Sequence, residues 1–351
     1  MNEQTIIQIK ALNKTYPRGF VKRYKALKNI NLSIKKGEIF GFLGPNGAGK
    51  TTLIKSILGL LKYDSGIVRL FDKSIDETDV KNRIGYLPET PNFYSYLTAF
   101  EIMKLYARLY NMNPTLPPFG KGRIKEGSSR GVENDEAISK DRGIASSPKA
   151  DRNDHSGSGD VDAIIKEKLE LVGLKDAIHT RLRAFSKGML QRLGMAQALI
   201  NDPELLILDE PMSGLDPIGR SEFKEIMRQL KKQGKTIFFS SHIIPDAEEL
   251  CDRVAVIRSG EIIKVGSVSA LIDTGTTGVD ITANGRLNDR IKELVRNITC
   301  NNEQCIFHVS DPGKTNEILS ELIKNGFSIV KVEPVRQTLE TLISRMIKEQ
   351  A

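Results

Sequence analysis

The stretch GPNGAGKTT, residues 44–52, decides the fold of this chain. It fits the pattern G-x-x-x-x-G-K-[ST], in which glycines allow successive backbone N–H groups to surround a phosphate. The apolar run EIFGFLG (38–44) precedes it and predicts a buried strand, and apolar residues from Leu53 to Leu61 follow at helical spacing. A strand, a glycine loop and a helix in this order predict the start of a parallel α/β core.

This loop carries the chemistry for binding the phosphates of a nucleotide. The side chain of Lys50 is long enough to reach the β- and γ-phosphates, and the hydroxyl of Thr51 is a ligand for Mg²⁺. The N-terminus of the following helix adds positive potential at the same place. The candidate binding residues of the loop are Gly44, Pro45, Asn46, Gly47, Ala48, Gly49, Lys50, Thr51 and Thr52.

Two carboxylates end a second apolar run, LLILDE (205–210). Asp209 and Glu210 are predicted at the carboxyl end of a buried strand, where open α/β sheets bind their ligands. Asp209 is suited to coordinating Mg²⁺ through water. Glu210 is one residue further, so it points elsewhere and is suited to polarising an attacking water. The pair therefore predicts nucleotide hydrolysis.

The other patterns before residue 268 predict one large domain around this core. Alternating apolar and polar residues predict half-buried antiparallel strands, and continuous apolar runs predict central parallel strands covered on both faces. These patterns lie at 6–12 and 28–34 (alternating), 205–209 and 236–240 (continuous), 219–232 (amphipathic helix) and 253–266 (two strands joined at Ser259-Gly260).

The segment 116–160 interrupts the pattern, because 14 of its 45 residues are Gly or Ser. Its charges balance and no apolar periodicity is sustained, so it buries too little surface to offset the entropy of ordering. We predict a disordered insertion in a helical region, with the helical pattern returning at 162–171.

The sequence pattern of residues 268–351 predicts a separate, small α+β domain without a chemical motif. Its predicted strands are 278–283, 306–310 and 326–332, and its predicted helices lie near 286–297, 314–324 and 337–348.

Composition narrows the class of protein. Hydrophobic residues make up 39% of the 351 positions, and no apolar run approaches the roughly 20 residues that span a bilayer. The N-terminus lacks the pattern of a signal peptide, so we expect the chain to stay in the compartment of its synthesis. The net charge of +8 is best explained as general surface charge. Three cysteines without a partner cluster predict reduced, structural thiols rather than a redox pair or metal site.

The order of the motifs over residues 5–266 resembles the ATP-binding subunit of ABC transporters. FSKGMLQR (185–192) is similar to the signature motif of that family, usually written LSGGQ, and SGLD (213–216) is similar to its D-loop. GYLPE (85–89) occupies the place of the Q-loop. His242 resembles the switch histidine, which senses the γ-phosphate, and Tyr16 stands where an aromatic residue stacks on adenine.

The resemblance implies an α/β fold: a phosphate-loop ABC-type ATPase core with an antiparallel β subdomain and a helical subdomain. It implies ATP and Mg²⁺ as cofactors, Glu210 and His242 as catalytic residues, and Thr51, Asp209 and Glu89 around the metal. Two subunits, identical or different, would close head to tail. Each ATP would then lie between the phosphate loop of one chain and Ser186 and Gly188 of the other, with Asp216 at the interface.

The resemblance also implies a separate membrane-spanning permease as partner and a place at the cytoplasmic face of the cell membrane. Its contact surface is expected near the Q-loop and 91–110. The motifs are similar to those of exporter-type subunits that serve sodium or drug efflux or the copper-site maturation of nitrous oxide reductase. Two departures affect this inference: Lys187 and Met189 replace Gly and Gln of the signature motif, and Glu89 replaces Gln in the Q-loop.

Several alternatives remain open at the level of sequence. One alternative is a soluble ABC ATPase that acts on nucleic acid or ribosomes, although the single phosphate loop disfavours this function. A nucleotide-binding regulator without turnover is disfavoured by Glu210. Tyr24 competes with Tyr16 for the adenine, and Asp216 would alternatively be a helix cap.

Overall fold

A computed structural model describes the chain over seven ranges: residues 4–18, 22–110, 156–272, 276–295, 297–301, 304–336 and 338–343. The strands are β1 (Thr5–Arg18), β2 (Lys22–Lys35), β3 (Ile39–Leu43), β4 (Ser65–Leu70), β5 (Ile84–Leu87), β6 (Leu205–Leu208), β7 (Thr236–Ser241), β8 (Arg253–Arg258), β9 (Glu261–Ser267), β10 (Thr276–Asn284), β11 (Asn297–Asn301), β12 (Gln304–Val309) and β13 (Ser328–Arg336). The helices are α1 (Lys50–Ile57), α2 (Thr78–Asn82), α3 (Ala99–Leu109), α4 (Ser156–Leu171), α5 (Lys187–Ala198), α6 (Pro217–Lys232), α7 (Ile244–Leu250), α8 (Val268–Ile272), α9 (Asp289–Leu294) and α10 (Thr315–Lys324).

A six-stranded sheet of order β5-β6-β7-β3-β8-β9 forms the centre of the fold. Its strands pair in parallel except β9, which returns from β8 as an antiparallel hairpin. Phe40 and Phe42 of β3 join the hydrophobic cluster on one face of the sheet, and Ile39 and Leu43 join the cluster on the other face. Both faces are therefore covered, which explains the continuous apolar runs and confirms the predicted parallel core.

A second sheet, β2-β1-β4, is antiparallel and shares a hydrophobic cluster with α1 and with one face of the central sheet. The other face carries a cluster of helices, in which α3, α4 and α5 bury their apolar stripes. Helix α3 begins with a capping box, because Thr98 accepts from the N–H of Glu101 while the Glu101 side chain accepts from the N–H of Thr98. These two subdomains confirm the ABC-type layout expected from the motifs.

The predicted insertion at 116–160 lies mostly outside the described residues. Its last five positions were predicted wrongly, because α4 already begins at Ser156. The helix is anchored by Ile165 and Leu169, which are fully buried. Adding one residue to an existing helix costs far less free energy than nucleating a new helix. Helix α4 therefore extends into a stretch that is poor in apolar residues.

The C-terminal residues form a third sheet of order β11-β12-β10-β13, which is antiparallel throughout. Helices α9 and α10 cover one of its faces, and Ile281, Phe307 and Leu322 belong to a hydrophobic cluster of its own. Strand β11 was not predicted, since its residues are mostly exposed and show no apolar alternation.

Four apolar residues from beyond residue 267 belong instead to the large cluster of the central domain: Val268, Leu271, Leu339 and Ile343. The backbone N–H of Leu339 donates to Glu248 of α7 at 2.9 Å. The chain therefore returns to the large domain after β13. The division of the chain at residue 268 stays a prediction.

The structure corrects the prediction made for two of the three cysteines. Cys300 and Cys305 form a disulfide, and only Cys251 is free and buried. The prediction of three reduced thiols was wrong because β11 and β12 place Cys300 directly opposite Cys305, with their Cα atoms 4.1 Å apart. Among the described residues, no helix has the length and apolar character needed to cross a membrane.

Candidate functional site

The phosphate loop, the carboxyl ends of the central strands and the β1–β2 hairpin surround a cavity of about 870 Å³, which we call the phosphate-loop cavity. Most of the predicted site residues line it. They are Tyr16, Asn46, Gly47, Gly49, Lys50, Thr51, Thr52, Glu89, Glu210 and His242, with Tyr24 and Ser213 beside them. Residues from five separate segments of the chain therefore meet at one edge of the sheet.

The loop owes its shape to glycine. Gly47 and Gly49 have φ values of +78° and +113°, which side chains of L-residues rarely tolerate. A Cβ atom on Gly49 would also lie 2.6 Å from the carbonyl oxygen of Ala26. Helix α1 begins immediately afterwards at Lys50, so the free N–H groups of its first turn point towards the cavity side of the loop.

Lys50 and the catalytic candidates are connected by direct contacts. The Lys50 ammonium donates to the carbonyls of Gly44 and Pro45 at 2.7 and 3.2 Å, and its Nζ lies 3.1 Å from Glu210 Oε1. The second carboxylate oxygen of Glu210 lies 2.8 Å from His242 Nδ1. Glu210 thus bridges a cation and an imidazole at the floor of the cavity, and its backbone is held at a φ of +46°.

Asp209 does not line the cavity but lies directly behind it, 1% exposed. Ser240 Oγ donates to Asp209 Oδ1 at 2.6 Å and accepts from the Glu210 N–H at 2.9 Å. Burial, and then the negative charge of Asp209, raises the pKa of Tyr86 to about 12. Sequence reasoning missed Ser240, although a polar residue that ends the apolar run of β7 was an available indication.

Tyr16 and Tyr24 are cross-strand neighbours on β1 and β2, and both line the phosphate-loop cavity. The Tyr24 hydroxyl donates to the carbonyl of Gly47 at 2.9 Å. The Lys14 ammonium lies 5.4 Å from the centre of the Tyr16 ring. One tyrosine is therefore tied to the phosphate loop, while the hydroxyl of the other makes no such contact with the loop.

Gly44, Pro45 and Ala48 belong to the phosphate loop but do not line its cavity. The last three predicted residues lie elsewhere, in a second cavity of about 690 Å³ that we call the signature cavity. Ser186, Gly188 and Asp216 line it together with Lys187 and Gly214. Ser186 caps α5 by accepting from the Met189 N–H at 3.2 Å, and Asp216 caps α6 by accepting from the Gly219 N–H at 2.7 Å. No residue of the described chain lines both cavities.

A phosphate loop before α1, two acidic residues after β6 and a histidine after β7 define the class. Together with the antiparallel and helical subdomains, they describe a P-loop nucleotide hydrolase built as an ATP-binding cassette. The sequence profile of the ABC transporter family matches residues 27–213, and the chain belongs to this family as an ATP-hydrolysing subunit.

Curated relatives agree with this assignment. An uncharacterised ABC transporter ATP-binding protein of Synechocystis sp. is 34% identical over 351 residues, covering 99% of this chain and 86% of the relative. The fluoroquinolones export ATP-binding protein of Mycobacterium tuberculosis is 35% identical over 268 residues, covering 76% and 72%. Because such relatives are transporter subunits, an ABC ATPase acting on nucleic acid or ribosomes is not favoured.

Solved structures share the fold. A dimeric ATP-binding cassette in a post-hydrolysis state, bound to ADP and phosphate, aligns with a TM-score of 0.58 at 24% identity. The alignment covers 75% of this chain and 99% of that one. At this identity the likeness extends to the cassette fold and carries no individual residue role.

Proposed function

We propose that this chain binds ATP with Mg²⁺ in the phosphate-loop cavity and that two chains close head to tail. Each ATP then lies between the phosphate-loop cavity of one chain and the signature cavity of the other. The observation that carries the proposal is the separation of the two cavities. Ser186 and Gly188 present the N-terminus of α5, an anion-binding feature, but do not face the Lys50 loop of their own chain.

The contacts of Lys50 support a role for ATP in releasing Glu210. The Lys50 ammonium is shared between Glu210 and two loop carbonyls. The β- and γ-phosphates compete for this ammonium, since a phosphate carries more charge than one carboxylate. Glu210 then keeps its contact with His242 and is free to accept a proton from the attacking water.

The donors around the cavity suit Mg²⁺, which prefers oxygen ligands and keeps several waters. The Thr51 hydroxyl and the Asp209 and Glu89 carboxylates would hold it, directly or through water. When bound, the ion neutralises charge on the β- and γ-phosphates. Ser240 holds Asp209 in place from behind.

Tyr16 and Tyr24 have different roles in the proposed site. Tyr16 supplies the aromatic surface for adenine, because its hydroxyl is not committed to the phosphate loop. Tyr24 fixes the loop itself through the Gly47 carbonyl. Asp216 is committed to capping α6 in the single chain, so its part in the dimer interface is to hold the SGLD loop in shape.

The permease is expected to dock beside the Q-loop. A groove of about 340 Å³ opens there between the end of α1, β5 and α3, lined by Leu60, Tyr86, Tyr106 and Tyr110. Leu60 is 65% exposed, and Tyr94 and Tyr96 are exposed on the adjoining loop. Exposed apolar residues clustered in this way indicate a protein-binding surface.

The similarity to an export subunit supports an exporter at the cytoplasmic face of the membrane. The permease would determine the transported substrate. Co-purification from detergent-solubilised membranes tests this part of the proposal. A polytopic membrane protein is the expected partner, and recovery of nucleic acid alone would refute it.

The head-to-tail arrangement is tested with two defective chains. Lys50→Ala damages the phosphate loop, and Gly188→Asp places a carboxylate where the γ-phosphate would bind. Each homodimer should be inactive, but a mixed dimer gathers both defects into one site and leaves the other intact. ATP-dependent dimerisation, scored with Glu210→Gln in both chains, should recover on mixing. Absence of recovery would mean that each signature motif serves its own chain.

A further inference from the structure

Of the three positions at which the motifs depart from the ABC pattern, Met189 is uncharged, and the other two, Glu89 and Lys187, carry opposite charges. Glu89 lines the phosphate-loop cavity, and Lys187 lines the signature cavity. Both side chains are exposed, and within the described chain neither forms a hydrogen bond or an ion pair. By contrast, Lys50 in the first cavity and Arg192 in the second are paired with carboxylates.

Lys187 stands at a place that is electrostatically unfavourable for a cation. It is the first residue of α5, next to the Ser186 cap, and the first turn of α5 contains no acidic residue. A helix N-terminus carries positive partial charge and favours anions, so an ammonium there is unfavourable without an anion beside it. Asp176 and Asp216 line the same cavity, but neither forms an ion pair with Lys187 within the described chain.

The ammonium lies next to the SGLD loop. It lies across Gly214, where a Cβ atom would be 2.3 Å from Lys187 Nζ, and Gly214 has a φ of +71°. The absence of a side chain at Gly214 therefore makes room for the lysine. Lys187 therefore lines the signature cavity together with Gly214 of the SGLD loop.

Glu89 creates the opposite charge imbalance, because it adds negative charge to the phosphate-loop cavity. It follows the end of β5, which pairs with β6, so it stands at the same sheet edge as Asp209 and Glu210. Three carboxylates thus gather around a cavity whose ligand is itself strongly anionic. Lys50 is the nearby cation in that cavity, and it is shared with Glu210. Lys50 and the Mg²⁺ proposed above offset part of this charge, and a further cation beside Glu89 would offset more of it when the triphosphate binds.

We propose that Lys187 of one subunit pairs with Glu89 of a second copy when the two cavities close over ATP. This inference rests on the proposed head-to-tail dimer, which brings these two groups into the same composite site. The pair is a positioning device: it connects the loop after β5 of one chain to the signature helix of the other. The two charged departures from the family pattern, Glu89 and Lys187, would then compensate each other.

The test compares two mixed dimers that contain the same substitutions in different distributions. In the first, one chain carries Glu89→Gln and the other carries Lys187→Gln. If the pair forms between chains, one site lacks both partners and the other keeps an intact pair. In the second dimer, one chain carries both substitutions and the other carries neither. Each site then has one partner left alone.

ATP-dependent association is measured by energy transfer between donor- and acceptor-labelled chains, all with Glu210→Gln to slow hydrolysis. We expect the first mixed dimer to associate roughly fivefold to tenfold more tightly than the second, as for a contacting charge pair. The swapped homodimer Glu89→Lys with Lys187→Glu should recover part of the affinity lost by either single change. Arg183→Gln, which removes an exposed cation outside both cavities, is the matched control and should not couple to Glu89→Gln.

The outcomes separate this inference from the proposed function. Equal affinities of the two mixed dimers, together with ATP-dependent dimerisation of the parent, would refute the Glu89–Lys187 pair and leave the dimer standing. Failure of the Glu210→Gln parent to dimerise on ATP would refute both. Since both residues are exposed, their substitution should leave the melting temperature unchanged, which excludes misfolding as the cause of weaker association.

Discussion

Lys50 and Glu210 form an ion pair with Nζ 3.1 Å from Oε1, and their side chains are only 6% and 8% exposed. A buried pair of this kind costs much desolvation energy, so it is poor evidence of a purely stabilising role. It lies instead where we propose that the phosphates of ATP bind. On that proposal, ATP binding would exchange the Lys50–Glu210 contact for contacts between Lys50 and the phosphates.

Replacing Lys50 with Ala should abolish productive ATP binding, because the ammonium and its phosphate contacts are lost together. We expect affinity for a fluorescent ATP analogue to fall by at least about tenfold, the equivalent of one charge-assisted hydrogen bond. Lys55→Ala, an exposed lysine of the same helix, is the control. Unchanged affinity in Lys50→Ala would show that the nucleotide binds elsewhere.

Replacing Ser240 with Ala should affect both stability and metal use. The buried N–H of Glu210 would lose its acceptor, which costs about 1–3 kcal/mol of unfolding free energy. Asp209 would lose the donor that orients it, so the Mg²⁺ concentration for half-maximal ATPase activity should rise.

Urea denaturation and a Mg²⁺ titration of turnover measure these two effects. Ser56→Ala removes another buried hydroxyl, which donates to the Thr52 carbonyl, and should leave the Mg²⁺ titration unaltered. The same Mg²⁺ dependence in Ser240→Ala and wild type would contradict the positioning role of Ser240.

Deleting residues 116–155 and joining the ends with a short Gly/Ser linker should leave the fold and basal ATPase activity largely intact. The composition of the segment motivates this prediction, and loop length itself changes the free energy little. A longer deletion, through residue 165, removes the buried Ile165 and the ion pair of Lys104 with Asp162. Thermal unfolding should show a large loss only for the longer deletion; a similar loss for both would mean that 116–155 packs against the domain.

The cysteines give a chemical test of the C-terminal sheet. Burial raises the pKa of the Cys251 thiol well above its usual value, so its reactive thiolate is scarce at neutral pH. Purified without reductant, the native chain should show no thiol that reacts rapidly with a disulfide reagent. One of the three cysteines should react after denaturation and all three after reduction. Three reactive thiols before reduction would exclude the Cys300–Cys305 bond.

The return of the chain to the large domain is tested at Leu339, which is fully buried in the central cluster. Leu339→Ala should lower the unfolding free energy of that domain by about 2–5 kcal/mol, the usual cost of a buried leucine. Leu322→Ala, equally buried but in the C-terminal cluster, is the matched control. ATPase activity followed during urea titration reports on the large domain, and equal midpoints for Leu339→Ala and wild type would refute the docking.

The sequence by itself determined the phosphate loop and the central parallel strands β3, β6 and β7, and it indicated the residues that we propose for each half of the ATP site. These features are local. The loop needs glycines at fixed positions within nine residues, and a strand buried on both faces needs an uninterrupted apolar run.

Only the tertiary structure decided which of these residues meet. Ser240 supports Asp209 because β7 lies beside β6, and Cys300 faces Cys305 because of the register of β11 on β12. Likewise, the order of the strands gathers Lys50, Glu210 and His242 in one cavity and leaves Ser186 in another. Local periodicity specifies which face of an element is apolar, but not its neighbour or register. Those follow from the packing of the whole core, where contacts far apart in sequence are made together.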